Sequence, residues 1–273
     1  MTFVLAALAA AALSAPSFAQ QAQPPQSRAD RFLRDCGDRW GDGDREPACE
    51  VRDATLRAPA TRLIVDGHQN GSVRIYGWER NEVLVRALIQ TWGETKADAE
   101  ALAKEVRIET GGDRIRADGP SARRRSGWAV SYEVWVPRKT NVDAETHNGG
   151  ITAEGIEGRL FLDAVNGGIS LRDVAGDVRA ETTNGSVSAV LSGTTWRGGG
   201  LDLSTTNGSV SLDIPRAYNA ELETGTVNGG VNIDFPITVQ GTIGRRINTR
   251  LGAGGPRLRA TTTNGGVRIR QLP

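Results

Sequence analysis

Apolar and polar residues alternate along most of this chain, which is the period of β-strands that bury one face. Alternating runs begin at Leu63, at Val73 and at Val130. Turn residues such as Asn70-Gly71 separate them, as expected for short strands joined by tight connections. The pattern therefore predicts an all-β protein.

One segment has the period of a helix instead. Thr95 can cap its first turn together with Asp98, three residues later, as in a capping box. The apolar side chains that follow share one helical face, at Ala99, Leu102, Ala103 and Val106. We therefore predict one short helix, over residues 95–106, that packs against a sheet.

The C-terminal half repeats the motif Asn-Gly-(Gly/Ser)-(Ile/Val). Its asparagines are Asn148, Asn166, Asn184, Asn207, Asn228 and Asn264, with an earlier copy at Asn70. The first two intervals are 18 residues, and the last, at 36 residues, is twice that length. A second turn lies halfway through the short units, near Gly158 and Gly176. Each unit is therefore predicted to be strand, turn, strand, turn.

Two architectures fit this repeat. Asn-Gly between alternating strands is a strong hairpin signal, which would give an antiparallel meander. A fixed period instead indicates a solenoid, in which each unit is one coil. The asparagines would then hydrogen-bond along a column, and the glycines would supply a positive φ at the corner. We favour a single-stranded β-helix with coils of about 18 residues, in which 192–200 and 237–255 bulge as loops. The antiparallel meander is the alternative.

The N-terminus has the pattern of an export signal. Residues 1–19 carry no charged side chain, and 3–13 is an apolar stretch. Small residues at Ser17 and Ala19 complete a secretory signal peptide, with cleavage expected after Ala19. About eleven apolar residues cannot cross a ~30 Å hydrocarbon core. We expect an exported protein, periplasmic or extracellular, without a transmembrane segment in its mature chain.

These features divide the chain into four parts. We predict a signal peptide over 1–19, a disordered spacer and Cys-bearing segment over 20–60, an N-terminal β region with the helix over 61–137, and the Asn-Gly repeat solenoid over 138–273.

Cys36 and Cys49 are the two cysteines of the chain. In an oxidising compartment such a pair predicts a disulfide, which would contribute roughly 3 kcal/mol in the chain-entropy model. The alternatives are two free thiols or half of a metal site, for which no histidine lies nearby. The acidic residues between the cysteines lack the spacing of a calcium loop and indicate a solvated turn.

Charge and motifs argue against several functions. The 33 Lys and Arg residues nearly balance the 32 Asp and Glu residues, and nucleic-acid binding needs a concentrated basic face. The two histidines, His68 and His147, lie at turn positions, and no nucleophile elbow, zinc-protease helix or phosphate loop is present. Acids of the repeats occupy mostly outward strand positions, as at Glu145, Glu154, Asp163, Glu181 and Asp213. We therefore expect no catalytic residue, no cofactor and no metal ligand.

Exposed tryptophans can stack on sugar rings, which would suit an adhesin. Trp128 and Trp196, flanked by Gly, Arg and Ser, are the best candidates for an exposed pair. The competing interpretation is packing, because tryptophan is highly buried on average.

Several of these motifs together carry a family resemblance. The Thr-x-Asn-Gly-x-(Ile/Val) repeats, the strand 132–137 and Asp234-Phe235-Pro236 resemble the bacterial DUF4097 family, labelled putative adhesins. The resemblance extends from about residue 60 to the C-terminus and does not include the Cys-bearing segment 31–58. It implies a β-helical envelope protein, some of whose relatives are associated with envelope stress responses. It implies no catalytic or binding residue.

The leading hypothesis is a non-catalytic, exported cell-envelope protein whose solenoid offers a binding or scaffolding surface. Its partner would be an envelope component, either a glycan or a protein. A self-assembling structural solenoid is the alternative, and a polysaccharide-acting enzyme is the third hypothesis. Arg268, Arg270 and Pro273 would protect the last strand from pairing with another copy, which favours a monomer.

Overall fold

The computed structural model describes residues 26–36, 45–121, 125–237 and 245–272. The predicted signal peptide lies outside them. The helices are α1 (Gln26–Arg34) and α2 (Lys96–Glu105). The strands are β1 (Glu46–Arg57), β2 (Leu63–Asp66), β3 (Val73–Trp78), β4 (Glu82–Gly93), β5 (Arg107–Glu109), β6 (Arg114–Asp118), β7 (Gly127–Pro137), β8 (Val142–Asn148), β9 (Ile151–Glu154), β10 (Glu157–Asn166), β11 (Ile169–Arg172), β12 (Ala175–Asn184), β13 (Val187–Val190), β14 (Gly200–Asn207), β15 (Val210–Ile214), β16 (Ala220–Asn228), β17 (Val231–Ile233), β18 (Arg246–Leu251), β19 (Arg257–Asn264) and β20 (Val267–Gln271).

The described strands form two mixed sheets of ten strands each. Sheet A has the order β1-β4-β7-β3-β9-β11-β13-β15-β20-β17, and sheet B the order β18-β16-β19-β14-β12-β10-β8-β2-β6-β5. Alternate residues of both sheets point inward and form one apolar core. The predicted β class is confirmed, as a mostly β fold with two short helices, because a period of two buries one face of most strands.

Each repeat contributes one strand to each sheet. The corner at Asn166 leads from β10 in sheet B to β11 in sheet A, and the corner at Asn184 leads from β12 to β13. β10 and β12 pair in parallel, with Asn166 opposite Asn184. The antiparallel meander is therefore wrong for the repeats, because the strands that Asn-Gly joins lie in different sheets.

A single-stranded β-helix is nevertheless too simple a description. At one end of the stack, β4 pairs antiparallel with both β1 and β7, and at the other β18 pairs antiparallel with β16. Residues 237–255, which we predicted to be a loop, contain β18. The two sheets are mixed because these end strands add to a parallel centre.

The last coil in sequence is not the last coil in space. β19 lies between β14 and β16, and β20 lies between β15 and β17. The 36-residue interval between Asn228 and Asn264 therefore joins neighbouring coils whose order is reversed. Arg268 and Arg270 lie on a strand that is paired on both sides, so their predicted role in protecting a terminal edge is wrong. The sheet edges at this end are β17 and β18.

The predicted asparagine column is confirmed. Each side-chain amide donates to the next Oδ1 over 2.8–3.0 Å, in the spatial order Asn228, Asn264, Asn207, Asn184, Asn166, Asn148 and Asn70. A buried threonine two positions earlier supports the column: the Thr182 hydroxyl donates to the Gly167 carbonyl of the neighbouring coil at 2.7 Å. Thr146, Thr205, Thr226 and Thr262 make the same contact. The threonine and asparagine of the Thr-x-Asn-Gly motif therefore hydrogen-bond one coil to the next.

The predicted positive φ is found at two of the glycines that follow the corner asparagines, Gly208 (157°) and Gly265 (146°), and the others are required for a different reason. Gly149, Gly167 and Gly185 do not adopt a positive φ. A Cβ on Gly167 would instead lie 1.9 Å from the Gly149 carbonyl oxygen, and one on Gly185 would lie 2.1 Å from that of Gly167. Only glycine allows the backbones of successive coils to approach this closely.

The segment before the repeats is more ordered than predicted. Within 20–60, which we predicted to be a spacer and Cys-bearing segment, the described residues include the helix α1 and the edge strand β1. Cys36 and Cys49 form the predicted disulfide, with their Cα atoms 5.9 Å apart, and it ties the end of α1 to β1. The sequence there has little apolar content, but β1 gains a full ladder of backbone pairing with β4.

The predicted helix is confirmed as α2. Thr95 Oγ1 accepts from the Asp98 backbone amide, and the Asp98 side chain accepts from the Thr95 amide, which completes the capping box. Ala99, Ala103 and Val106 are buried against the sheet. Arg52 of β1 donates to the Ala103 and Val106 carbonyls at the far end of the helix.

Helix α1 covers a buried carboxylate on the outer face of sheet A. Glu133 of β7 is 2% exposed, and the Arg28 Nε of α1 lies 3.1 Å from its carboxylate. Burial raises the pKa of Glu133, against the opposing effect of Arg28, Arg74 and Arg86. The ionised form is therefore less stable in the folded protein than in the unfolded chain.

We expect Glu133→Gln to raise the free energy of unfolding at pH 7, because it removes a buried charge whose desolvation outweighs its pairing. As the pH falls through the raised pKa towards the ordinary value of 4.5, the free energy of unfolding of the wild type should rise relative to that of the variant. The reason is that the folded wild type takes up the proton at a higher pH than its unfolded chain does. Urea unfolding at pH 7 and pH 5 measures this, with Glu100→Gln on exposed α2 as the control. If Glu133→Gln is instead less stable than the wild type at pH 7, the ion pair between Arg28 and Glu133 outweighs the desolvation of the carboxylate.

Candidate binding groove

The outward side chains of sheet B form a groove over β10, β12, β14, β19 and β16. The groove has a volume of about 440 Å³. Because the strands pair in exact register, equivalent residues of successive coils form rows across the sheet, about 4.8 Å apart. The period of two places these side chains outward, and the stacking of coils places them side by side.

The floor of the groove is one such row. Asp163, Glu181, Ser204, Thr261 and Gly225 lie opposite one another in adjacent strands. The Ser204 hydroxyl donates to Glu181 Oε1 at 3.4 Å. The floor therefore changes from carboxylates to hydroxyls along its length.

A second row closes one side of the groove. It consists of the outward residues that precede the corner asparagines, namely Thr183, Thr206, Thr263 and Val227. All four are exposed. The Thr183, Thr206 and Thr263 hydroxyls can each donate and accept a hydrogen bond.

The opposite side carries ion pairs. Arg259 donates to Glu223 Oε1 and to Asp202 Oδ2, each at 3.2 Å, while Asp202 Oδ1 is buried without a hydrogen-bond partner. Arg179 donates to Glu181 Oε1 at 2.5 Å. These contacts hold the charged side chains in fixed orientations beside the floor.

Burial and neighbouring charges shift the pKa values of two side chains at the groove, Asp163 and Arg259. Burial raises the pKa of Asp163, and the neighbouring Glu181 carboxylate raises it further, against an opposing effect of Arg179. Burial acts to lower the pKa of Arg259, but Asp202 and Glu223 outweigh it and raise the pKa. Arg259 therefore remains charged, and Asp163 is protonated more easily than an ordinary aspartate.

Of the three exposed large hydrophobic residues in the described part of the chain, Val227 lines this groove and Phe161 lies just outside its lining residues, on the same face of sheet B. Phe161 is 39% exposed and Val227 is 51% exposed. Phe161 lies two residues before Asp163, and the Arg179 guanidinium carbon lies 5.9 Å from its ring centroid. The outer face of sheet B thus places a partly accessible aromatic ring beside the hydrogen-bonding groups of the groove.

The tryptophans predicted to be exposed do not form a pair. Trp196 is 4% exposed, lies in the core and donates through Nε1 to the Gly176 carbonyl at 2.9 Å, so its predicted exposure is wrong. The loop after β13 folds back and buries the ring. Trp128 is half-buried and stacks on the His68 ring with the centroids 5.3 Å apart.

The other predicted residues lie as follows. His68 has a φ of 54° and its amide donates to Asp66 Oδ1, so it is a turn residue. Among the acids predicted to point outward, Asp163 and Glu181 come together in the groove. Sequence reasoning missed Phe161, although its position between the inward Leu160 and Leu162 marks it as an outward aromatic residue.

Within the described ranges, no group of three or more His, Cys, Asp and Glu side chains is placed to hold a metal ion. No helix in that part of the chain has the length and apolarity needed to cross a membrane.

Comparison with known proteins identifies similar sequences and structures. The family model described as Toastrack DUF4097 matches residues 103–270. A putative cell adhesion protein from Clostridium sporogenes is 14% identical, with 83% of this chain and 100% of that chain covered and a TM-score of 0.41. A putative adhesin from Bacteroides fragilis is 10% identical (82% and 97% covered, TM-score 0.37). A putative lipid binding protein from Parabacteroides distasonis is also 10% identical (85% and 98% covered, TM-score 0.30). No curated protein matches the sequence.

Proposed function

The chain belongs to the Toastrack DUF4097 family, and from this premise we propose that it is an exported, non-enzymatic, adhesin-like protein that binds a component of the cell envelope. The observation that carries the proposal is the groove on sheet B, whose hydroxyl, carboxylate and guanidinium groups are held on a stacked backbone. A rigid surface of this kind binds without a large ordering cost.

Two further features support export. The Cys36–Cys49 disulfide is typical of oxidising compartments, and residues 1–19 have the pattern of a signal peptide. The site of action is then the periplasm or the cell exterior.

The adjacent carboxyls raise the alternative of a glycoside hydrolase, which needs two carboxyls on either side of the scissile bond. Asp163 and Glu181 instead stand side by side on one floor, and Glu181 is held by Arg179. A sugar lying on this floor would meet both carboxyls on the same face. This arrangement favours binding over hydrolysis.

Co-sedimentation of residues 20–273, produced under oxidising conditions, with peptidoglycan sacculi and outer-membrane vesicles tests the proposal. We expect saturable pelleting with one fraction, reduced at least tenfold by Thr206→Arg in the groove. Ser170→Arg, which adds the same charge to the outer face of sheet A, is the matched control and should leave pelleting unchanged.

Three outcomes would contradict the proposal. Absence of pelleting with every fraction would exclude direct envelope binding. Large particles in the unbound protein would favour a self-assembling structural role. Release of reducing ends from sacculi would establish an enzyme.

A further inference from the structure

We propose that the groove binds an uncharged linear polysaccharide, which lies across the strands of sheet B with one sugar ring on Phe161. The inference rests on the proposed function and names the class of ligand for the same groove. Four observations carry it: an accessible aromatic ring, the mixture of donors and acceptors, the charge balance and the regular spacing.

The first observation is the exposed ring. An aromatic residue on a sheet surface loses free energy of transfer unless something covers it. The Arg179 guanidinium over the Phe161 ring covers it only in part, because the residue is still 39% exposed beside the groove. The C–H faces of a sugar ring offer an apolar surface of matching size. Val227, which is 51% exposed at the other end of the row of strands, offers a second apolar contact.

The second observation is the set of hydrogen-bonding groups. Sugar hydroxyls both donate and accept, so they are best met by neighbouring acceptors and donors. Asp163 and Glu181 supply carboxylate acceptors, and Ser204 and Thr261 on the same row supply hydroxyls that do both.

The third observation is charge. The groove is lined by three carboxylates (Asp163, Glu181 and Glu223) and two guanidiniums (Arg246 and Arg259). The neighbouring charges that pair with groove residues are Asp202, Arg179 and Arg257, which brings the total to four of each sign. The ion pairs Arg259–Glu223, Arg259–Asp202 and Arg179–Glu181 neutralise most of this charge internally. Because the two signs balance, neither a polyanion nor a polycation would meet a net opposite charge, and an uncharged polymer fits the groove best.

The fourth observation is regularity. Thr183, Thr206 and Thr263 present the same hydroxyl at successive coils, and the corner asparagines beside them repeat at the same spacing. A polymer with a regular repeat can make equivalent contacts at each coil. Five strands span roughly 19 Å, at about 4.8 Å per strand, so several consecutive sugars should contribute to binding.

Titration calorimetry with neutral oligosaccharides of two to six sugars from the chitin, cellulose and maltose series tests the inference. We expect one series to bind, with an affinity that rises with chain length until the groove is spanned. Phe161→Ala should weaken binding at least tenfold. Leu33→Ala, which removes an exposed hydrophobic side chain from α1, is the matched control and should bind as the wild type does. Thermal unfolding of both variants checks that they remain folded.

The inference and the proposed function can fail separately. If sacculi or vesicles still pellet the protein but no neutral series binds, the polysaccharide inference is overturned and the envelope-binding proposal stands. Stronger binding to polygalacturonate than to any neutral series would overturn the charge argument. Binding that Phe161→Ala leaves unchanged would overturn the placement of a sugar ring on Phe161.

Discussion

Replacing Gly167 by alanine should lower the free energy of unfolding by about 3 kcal/mol or more, because the new methyl group has no space between two backbones. Its Cβ would lie 1.9 Å from the Gly149 carbonyl oxygen and 2.5 Å from the carbonyl carbon. Neither atom can rotate away as a side chain would. The coils would have to separate, which would weaken the Asn148–Asn166 and Asn166–Asn184 hydrogen bonds.

The neighbouring residue provides the control. A Cβ on Gly168 would lie 3.1 Å from the Ser186 carbonyl oxygen, and Ser186 itself occupies the equivalent position in the next coil. Gly168→Ser should therefore stay within about 1 kcal/mol of the wild type. Urea unfolding of the two variants compares them directly. If the two variants lose the same free energy of unfolding, the corner does not distinguish between the two glycine positions. The close approach of Gly167 to Gly149 would then not determine the stability of the stack.

Replacing Trp196 by alanine should cost about 3–5 kcal/mol, which is the usual loss for a large aromatic residue in a core. The ring is 4% exposed, and its Nε1 donates to the Gly176 carbonyl of the coil beneath. Truncation would leave a cavity and remove the hydrogen bond that attaches the loop after β13.

Arg197→Ala is the control for this loop. Its side chain is exposed, so the substitution should change the free energy of unfolding by no more than about 0.5 kcal/mol. Denaturant unfolding followed by far-UV circular dichroism measures both variants. A loss below 1 kcal/mol for Trp196→Ala would show that the loop is not part of the cooperative core.

The contrast between Trp196 and Phe161 shows the limit of reasoning from local sequence. Trp196 lies among Gly, Arg and Ser residues, which indicated an exposed loop, yet the longer interval between coils gives the loop enough length to fold back onto the core. Phe161 alternates with Leu160 and Leu162, so the period of two alone places it outward. Its exposure follows from the strand pattern, but the groove beside it does not.

The charged groove residues depend on contacts between distant segments. Arg259 of β19 meets Asp202 of β14 and Glu223 of β16, because β19 lies between these two strands. The sequence order would place β16 next to β14. The intervals between the corner asparagines do not reveal that the chain skips one coil position and later returns to fill it.

Local patterns in the sequence determined the β class, the capping box of α2, the pairing of Cys36 with Cys49 and the column of corner asparagines. Each of these depends on residues close in the chain or on one repeated motif, so the covalent sequence contains the information directly. The tertiary structure alone decided the reversed order of the last two coils, the antiparallel strands at both ends, the burial of Trp196 and the groove. Those features depend on contacts between segments that are far apart in the chain, and the packing of the whole core determines which of these contacts form.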